Sequence, residues 1–242
     1  MIKKGIALRF EEDYSKEISF AKSLGFEFFQ IWFYNGTLSV DTLSEPKEKS
    51  IKNRGFPIIL HAVFDMPDYE KYGRKLLELV DYFGHKEVII HPSCEKENIN
   101  KNTVFSFKEK LETIYKELSK RDIKLYVENN SIKDVFFNSV DELRVIFDSY
   151  PDIGLLLDLA HTNNYEHLKD IVKMRFPECI HIADKRFGVD HEHIALGTGD
   201  LDFGMIFKDI IPNYNGRIIL EAVDSNGDII QSNKVIDRIF GK

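Results

Sequence analysis

Short runs of consecutive apolar residues alternate along this chain with longer stretches in which apolar residues return every three or four positions. The first pattern reads as strands buried on both faces, the second as helices with one face on a core. In order, the pattern predicts a strand over Gly5–Phe10, a helix over Tyr14–Leu24 stopped by Gly25, and a strand over Phe26–Trp32. A weak polar helix over Leu43–Arg54, a strand over Ile58–His61, a helix over Tyr69–Phe83 and a strand over Glu87–His91 follow. The second half repeats the alternation, with helices over Thr103–Ser119, Val140–Tyr150, Tyr165–Arg175, Leu201–Ile210 and Ile229–Phe240. Between them lie strands over Ile123–Glu128, Ile153–Asp158, Cys179–Ile182 and Arg217–Glu221. Ser139 and Asp200 stand where N-caps would.

Eight strand–helix units in 242 residues is the density of a minimal βα repeat and suits a (β/α)8 TIM barrel, as one domain spanning residues 1–242. The rival architecture, a doubly wound open sheet, normally carries a glycine-rich phosphate loop after its first strand. Here that position is Phe10-Glu11-Glu12-Asp13, acidic and free of glycine, so the barrel is favoured.

Composition narrows the setting. At 43% hydrophobic and 30% charged residues the chain has an ordinary globular makeup. Its net charge of −7 argues against coating nucleic acid, which needs a basic surface. Two cysteines, Cys94 and Cys179, form no CxxC pair and fit thiols in a reducing cytosol. The opening MIKKGIALRFEED reaches charge too soon for a signal peptide, and no apolar run approaches the ~20 residues of a membrane span. A cytoplasmic location is expected.

The chemistry gathers at the ends of the predicted strands. His61, His91, Glu128, Asp158, His181 and Glu221 close six consecutive ones, with His161 three residues after Asp158 and Asp184 three after His181. Any one of these has a bland reading, as a hydrogen-bonded or solvated side chain. In a barrel, however, strand C-termini converge on one mouth, where six ionisable groups would repel and desolvate one another without compensation. A divalent cation is the simplest compensation. Glu128, Asp158, His181 and Glu221, mostly oxygen with one imidazole, suit a single Mn, Mg, Co or Zn ion with a position open to substrate. The stretch 179–203 also holds His191 and His193, so that three of the eight histidines lie within thirteen residues. Gly197-x-Gly199 reads as a turn that lets the backbone pass close to the site. His85 and His167 read as structural or solvated.

These pieces, IILHAV, VIIHPSC, LYVENN, LLLDLAH, IHIADKR, HEHIALGTGDLDF and IILEAV, resemble in order the xylose-isomerase-like TIM barrel superfamily, which holds sugar isomerases and epimerases together with endonuclease IV. The sugar branch implies one divalent metal held by Glu128, Asp158, His181 and Glu221, with Glu128 and Glu221 also catalytic as acid and base. It implies proton transfer through a metal-stabilised enediolate of a sugar or sugar phosphate, an isomerase or epimerase of carbohydrate metabolism. His61, His91, His161, Arg186 and His193 would bind substrate, and Trp32 would stack on a sugar ring or pack beneath a loop. Phe10, Phe33, Tyr34 and Phe64 would form an apolar rim or pack in loops. Homo-oligomers are common in the superfamily, although no stretch here demands one.

The endonuclease IV branch implies instead three zinc ions and cleavage of abasic DNA. Its ligands would fall on His61, His91, Glu128, Asp158, His161, His181, His193 and Glu221, with His191 where those relatives carry an aspartate. Short loops and the acidic balance count against DNA, so the sugar branch is favoured. A non-catalytic sugar-binding barrel is the third reading.

Overall fold

A computed structural model describes residues 2–9, 13–42 and 45–241. Its parallel strands are β1 (Lys3–Ala7), β2 (Phe28–Tyr34), β4 (Ile58–Val63), β5 (Glu87–His91), β6 (Lys124–Glu128), β7 (Gly154–Asp158), β8 (Cys179–Ile182) and β9 (Arg217–Leu220), with a two-residue β3 (Thr37–Leu38) after β2. Each parallel strand pairs with the next, and β1 pairs with both β2 and β9, which closes the barrel. Around it lie α1 (Tyr14–Ser23), α2 (Lys47–Arg54), α3 (Tyr69–Phe83), α4 (Thr103–Lys120), α5 (Val140–Phe147), α6 (Tyr165–Met174), α7 (Phe203–Met205) and α8 (Asn226–Phe240). The chain is a TIM barrel, as the alternation predicts.

The helices sit where the three-to-four spacing puts them because that spacing makes one apolar face. On α4, Val104, Phe107, Leu111, Ile114 and Leu118 are buried. Ser139 caps α5 in a reciprocal box with Glu142, each side chain bonding the other's backbone N–H at 3.4 Å.

The barrel lumen holds a separate small core of Phe28, Ile59, Ile89, Tyr126, Leu156, Cys179 and Ile219, one residue from each of seven strands. The first strand supplies Gly5 to this layer, because a Cβ there would lie 2.3 Å from the Phe28 ring. Side chains two apart on a strand share a face. The layer above the plug therefore consists of Ala7, Gln30, His61, His91, Glu128, Asp158, His181 and Glu221. This two-residue step, rather than strand termination, brings the ionisable groups to one centre.

Several boundaries differ from the sequence expectation. His61 does not end its strand: β4 continues to Val63, with His61 in register with Trp32 and Ile89. The first strand stops at Ala7, and Phe10 and Leu43 lie outside the described residues. The expected Leu201–Ile210 helix begins only at Phe203 and passes into a π-turn over Ile206–Ile210. Its cap is Asp202, which accepts from Met205 N at 2.9 Å, whereas Asp200 accepts from Phe187 N at 2.8 Å and serves the preceding loop. The unforeseen β3 hairpin turns on Asn35-Gly36, both at positive φ, a pair suited to a two-residue turn.

Candidate active site at the barrel mouth

Glu128 lies at the centre of the mouth. Its Oε2 is 2.9 Å from His61 Nε2 and 2.9 Å from His91 Nδ1, and its Oε1 is 2.9 Å from His181 Nδ1. His181 Nδ1 also lies 3.3 Å from Glu221 Oε2 and 3.6 Å from Asp158 Oδ2. Asp158 Oδ2 is 3.1 Å from His193 Nε2, while its Oδ1 accepts from the backbone N–H of Ala160 and His161, so the carboxylate is held rigidly. Above this floor opens a cavity of about 490 Å³ whose lining includes Trp32, His91, His161, His191, His193 and Glu221. Trp32 stacks on His61 with ring centroids 4.2 Å apart and forms one wall.

The donor set fits a divalent cation. Glu128, Asp158, His181 and Glu221 each offer a ligand atom within 4.8 Å of the others. Three further groups meet the same spacing among the described residues: His61 with His91 and Glu128, His61 with His181 and Glu221, and His161 with His191 and His193. Among the described residues neither ring nitrogen of buried His61 has a hydrogen-bond partner, although Nε2 lies 2.9 Å from Glu128 Oε2. His161 donates through Nδ1 to the Asn129 carbonyl at 2.9 Å, and its buried Nε2 has no hydrogen-bond partner among the described residues. Lone pairs and carboxylates that converge in this way, with hydrogen bonds missing, are what a cation satisfies.

The same crowding splits the carboxyl groups. Burial opposes ionisation of Glu128, but the facing His181, His91 and His61 outweigh it and hold the group well below the usual carboxylate range. Burial also opposes ionisation of Asp158, and His161 and His193 pull it down in turn. At Glu221 burial prevails over His181, helped by the Asp158 charge, and its pKa rises to about 7. Burial drives His61 down to about 4 despite Glu128. His193, buried but facing Asp158, is carried up to about 9.

Of the residues singled out in the sequence, the structure brings Trp32, His61, His91, Glu128, Asp158, His161, His181, His193 and Glu221 to this mouth. It does not bring Arg186, whose exposed guanidinium pairs with Glu192 and lies outside the cavity lining. Phe33 and Phe64 belong to the core rather than the rim, packed edge to face at 6.3 Å. His167 is structural, as expected, bonded to Asn163 N and the Asn138 carbonyl.

Three residues escaped the sequence reading. Arg9 lines the cavity, paired with Glu17 and with Asn226 Oδ1 at 2.8 Å. Gln30 reaches both Glu221 and His181 at 2.6 Å. Its signal was the one polar residue inside the run FFQIWF, two residues before Trp32. Asp184, noted only as three residues past His181, is a clasp: it accepts from the N–H of Gly197, Gly199, Leu201 and Lys185 at 2.8–3.1 Å. A Cβ on Gly199 would lie 2.4 Å from the Lys185 carbonyl, so only glycine closes this loop. The clasp fixes the segment that carries His191 and His193.

The chain belongs to the xylose isomerase-like TIM barrel family, whose model matches residues 18–239. No curated protein matches it at significant similarity. Among solved structures it is similar to a D-tagatose 3-epimerase-like protein, with a TM-score of 0.76 at 19% identity over 99% of this chain and 97% of the other. It is also similar to the IOLI protein with a binding zinc atom, with a TM-score of 0.73 at 16% identity over 98% of each chain. A third likeness is to 3-keto-D-glucoside 4-epimerase, YcjR, from E. coli, with a TM-score of 0.70 at 17% identity over 100% of each. At these identities the likeness is one of fold. Among the described residues no helix is long and apolar enough to cross a membrane.

Proposed function

We propose that this protein is a divalent-metal-dependent isomerase or epimerase of a sugar or sugar phosphate, working by proton transfer beside a carbonyl. The observation that carries the reading is the pair Glu128 and Glu221, joined through His181 Nδ1 at 2.9 and 3.3 Å on the floor of the cavity, with carboxyl groups poised in opposite senses. Such separation of two carboxyl groups marks acid–base chemistry. It also agrees with the family and with neighbours named as epimerases.

Glu128, Asp158, His181 and Glu221 would hold the ion, which supplies Lewis-acid polarisation of a substrate carbonyl and offsets charge growing on its oxygen. Glu221, which lines the cavity and is tied to Gln30 through one oxygen only, is the group to take a proton from the adjacent carbon and give it back. Glu128 stays ionised and holds the imidazoles of His91 and His181 by hydrogen bonds of 2.9 Å. His161 and His193 face the cavity with nitrogens able to bond sugar hydroxyls, and Trp32 offers a flat apolar wall to a ring. Incubation with Mn²⁺ and a panel of ketoses and their phosphates should convert at least one to an isomer or epimer. Metal-loaded protein that converts none would count against the proposal.

A second reading is favoured by the additional ligand groups, above all His61 with His91 and Glu128 and His161 with His191 and His193, which share the mouth with the first. Three ions held there would suit phosphodiester cleavage of the endonuclease IV kind. Three zinc ions per chain together with nicking of an abasic duplex would displace the isomerase reading; one ion and an intact duplex would dismiss the nuclease.

A further inference from the structure

We propose that Gln30 is the positioning residue of this centre, fixing at once the tautomer of His181 and the free oxygen of Glu221. The inference rests on the metal-centre reading above, because it concerns how this chain presents its ligand atoms. Gln30 is fully buried on β2, two residues above the lumen plug at Phe28. Its Nε2 donates to Glu221 Oε1 at 2.6 Å. As a metal ligand Glu221 is ionised, and a carboxylate oxygen only accepts, so in the metal-holding state this bond settles which end of the amide is which. Gln30 Oε1 must then face His181 Nε2, also at 2.6 Å, and a carbonyl oxygen only accepts, so that ring nitrogen carries a proton.

The consequence falls on the other side of both partners. With Nε2 protonated, His181 turns Nδ1 toward Glu128, Asp158 and Glu221, at 2.9, 3.6 and 3.3 Å. A neutral ring with its lone pair there would face three acceptors, an arrangement satisfied by a cation at Nδ1. Glu221, tied by Oε1, is left with Oε2 on the same side. One neutral amide thus orients an imidazole and a carboxylate toward a common point and adds no charge to a site already rich in carboxylates. Hydrogen-bond partners of this kind change metal affinity by about 10–100-fold when removed.

The test uses the full chain with ¹⁵N-labelled histidine, loaded with Zn²⁺, and a long-range ¹H–¹⁵N correlation spectrum of the imidazoles. The spectrum should show His181 protonated at Nε2 and zinc-bound through Nδ1; zinc on Nε2, or a proton on Nδ1, would overturn the proposal without need of any variant. Alongside, Gln30→Met should weaken Zn²⁺ binding about 10–100-fold in competition with a chromophoric chelator, with metal-free thermal midpoints recorded for both proteins. A folded Gln30→Met protein with wild-type affinity would overturn the role of Gln30 and leave the metal reading standing. Wild-type protein that takes up no zinc would overturn both.

Discussion

Glu128 and Glu221 stand at the same height in one barrel, yet their surroundings push them apart: three imidazoles face Glu128, whereas burial dominates at Glu221. The histidines divide in the same way, and this makes the stability of the metal-free protein depend on pH in a predictable direction. His193 titrates at about 9 in the folded protein, against ~6.5 in an unfolded chain. The folded state therefore binds the extra proton, and the stabilisation is complete below pH ~6.5 and lost as pH rises toward 9. Glu221, raised to about 7, acts in the same sense between ~4.3 and 7. His61, lowered to about 4, acts oppositely, since below pH ~6.5 the unfolded chain takes up a proton that the folded ring refuses. Thermal midpoints of metal-free protein should fall from pH 6.5 to 9. With Zn²⁺ present the trend should reverse, because the ion needs deprotonated imidazoles and binds more tightly as pH rises. A flat metal-free profile over that range would contradict these assignments. At this scale much of the candidate site was legible, because His, Asp and Glu after apolar runs stand out. Gln30 and Asp184 were not, because an amide in a strand and a carboxylate in a loop have common structural uses. Arg186 misled because its partner Glu192, six residues on, becomes visible only when the loop folds back.

Among the elements, the strand pattern was the reliable guide and the connections were not. The candidate centre rests on a plug of seven lumen side chains, and the step of two residues above each gives the layer of candidate site residues. A sequence scan at that period would have found Gln30 together with the candidate ligands. The loop after β8 depends on Asp184, whose carboxylate gathers four backbone N–H groups. Asp184→Ala should lower stability by about 2–3 kcal/mol in urea unfolding, since it leaves buried donors unpaired. Gly199→Ala should loosen the same segment through its clash with the Lys185 carbonyl. In both variants amide exchange should quicken over 186–201 and not in β4 to β6; uniform exchange across the barrel would refute a local clasp. The expected Leu201–Ile210 helix was misplaced at its start because Asp200 and Asp202 are equally good caps in sequence, and the bond from Phe187 N decides between them.

For the whole molecule, closure of the barrel follows from β1 pairing with both β2 and β9, which turns a row of strand ends into a ring. The alternation of runs made that architecture readable, since each apolar strand needed cover on both faces. What the sequence left open was how many ions the mouth would hold, because the histidines of the candidate ligand groups could share one ion or hold several. The isomerase account expects one tightly held divalent ion per chain by elemental analysis, and its removal by chelation should lower the thermal midpoint at pH 8. The claim at the centre, that this mouth moves a proton beside a carbonyl, is tested most directly in D₂O. Metal-loaded protein mixed with a ketose panel should place deuterium on the carbon next to the carbonyl of its substrate. Glu221→Gln should slow that exchange about 10²–10⁴-fold. Metal-loaded wild-type protein that exchanges no such hydrogen in any ketose or ketose phosphate would contradict the account.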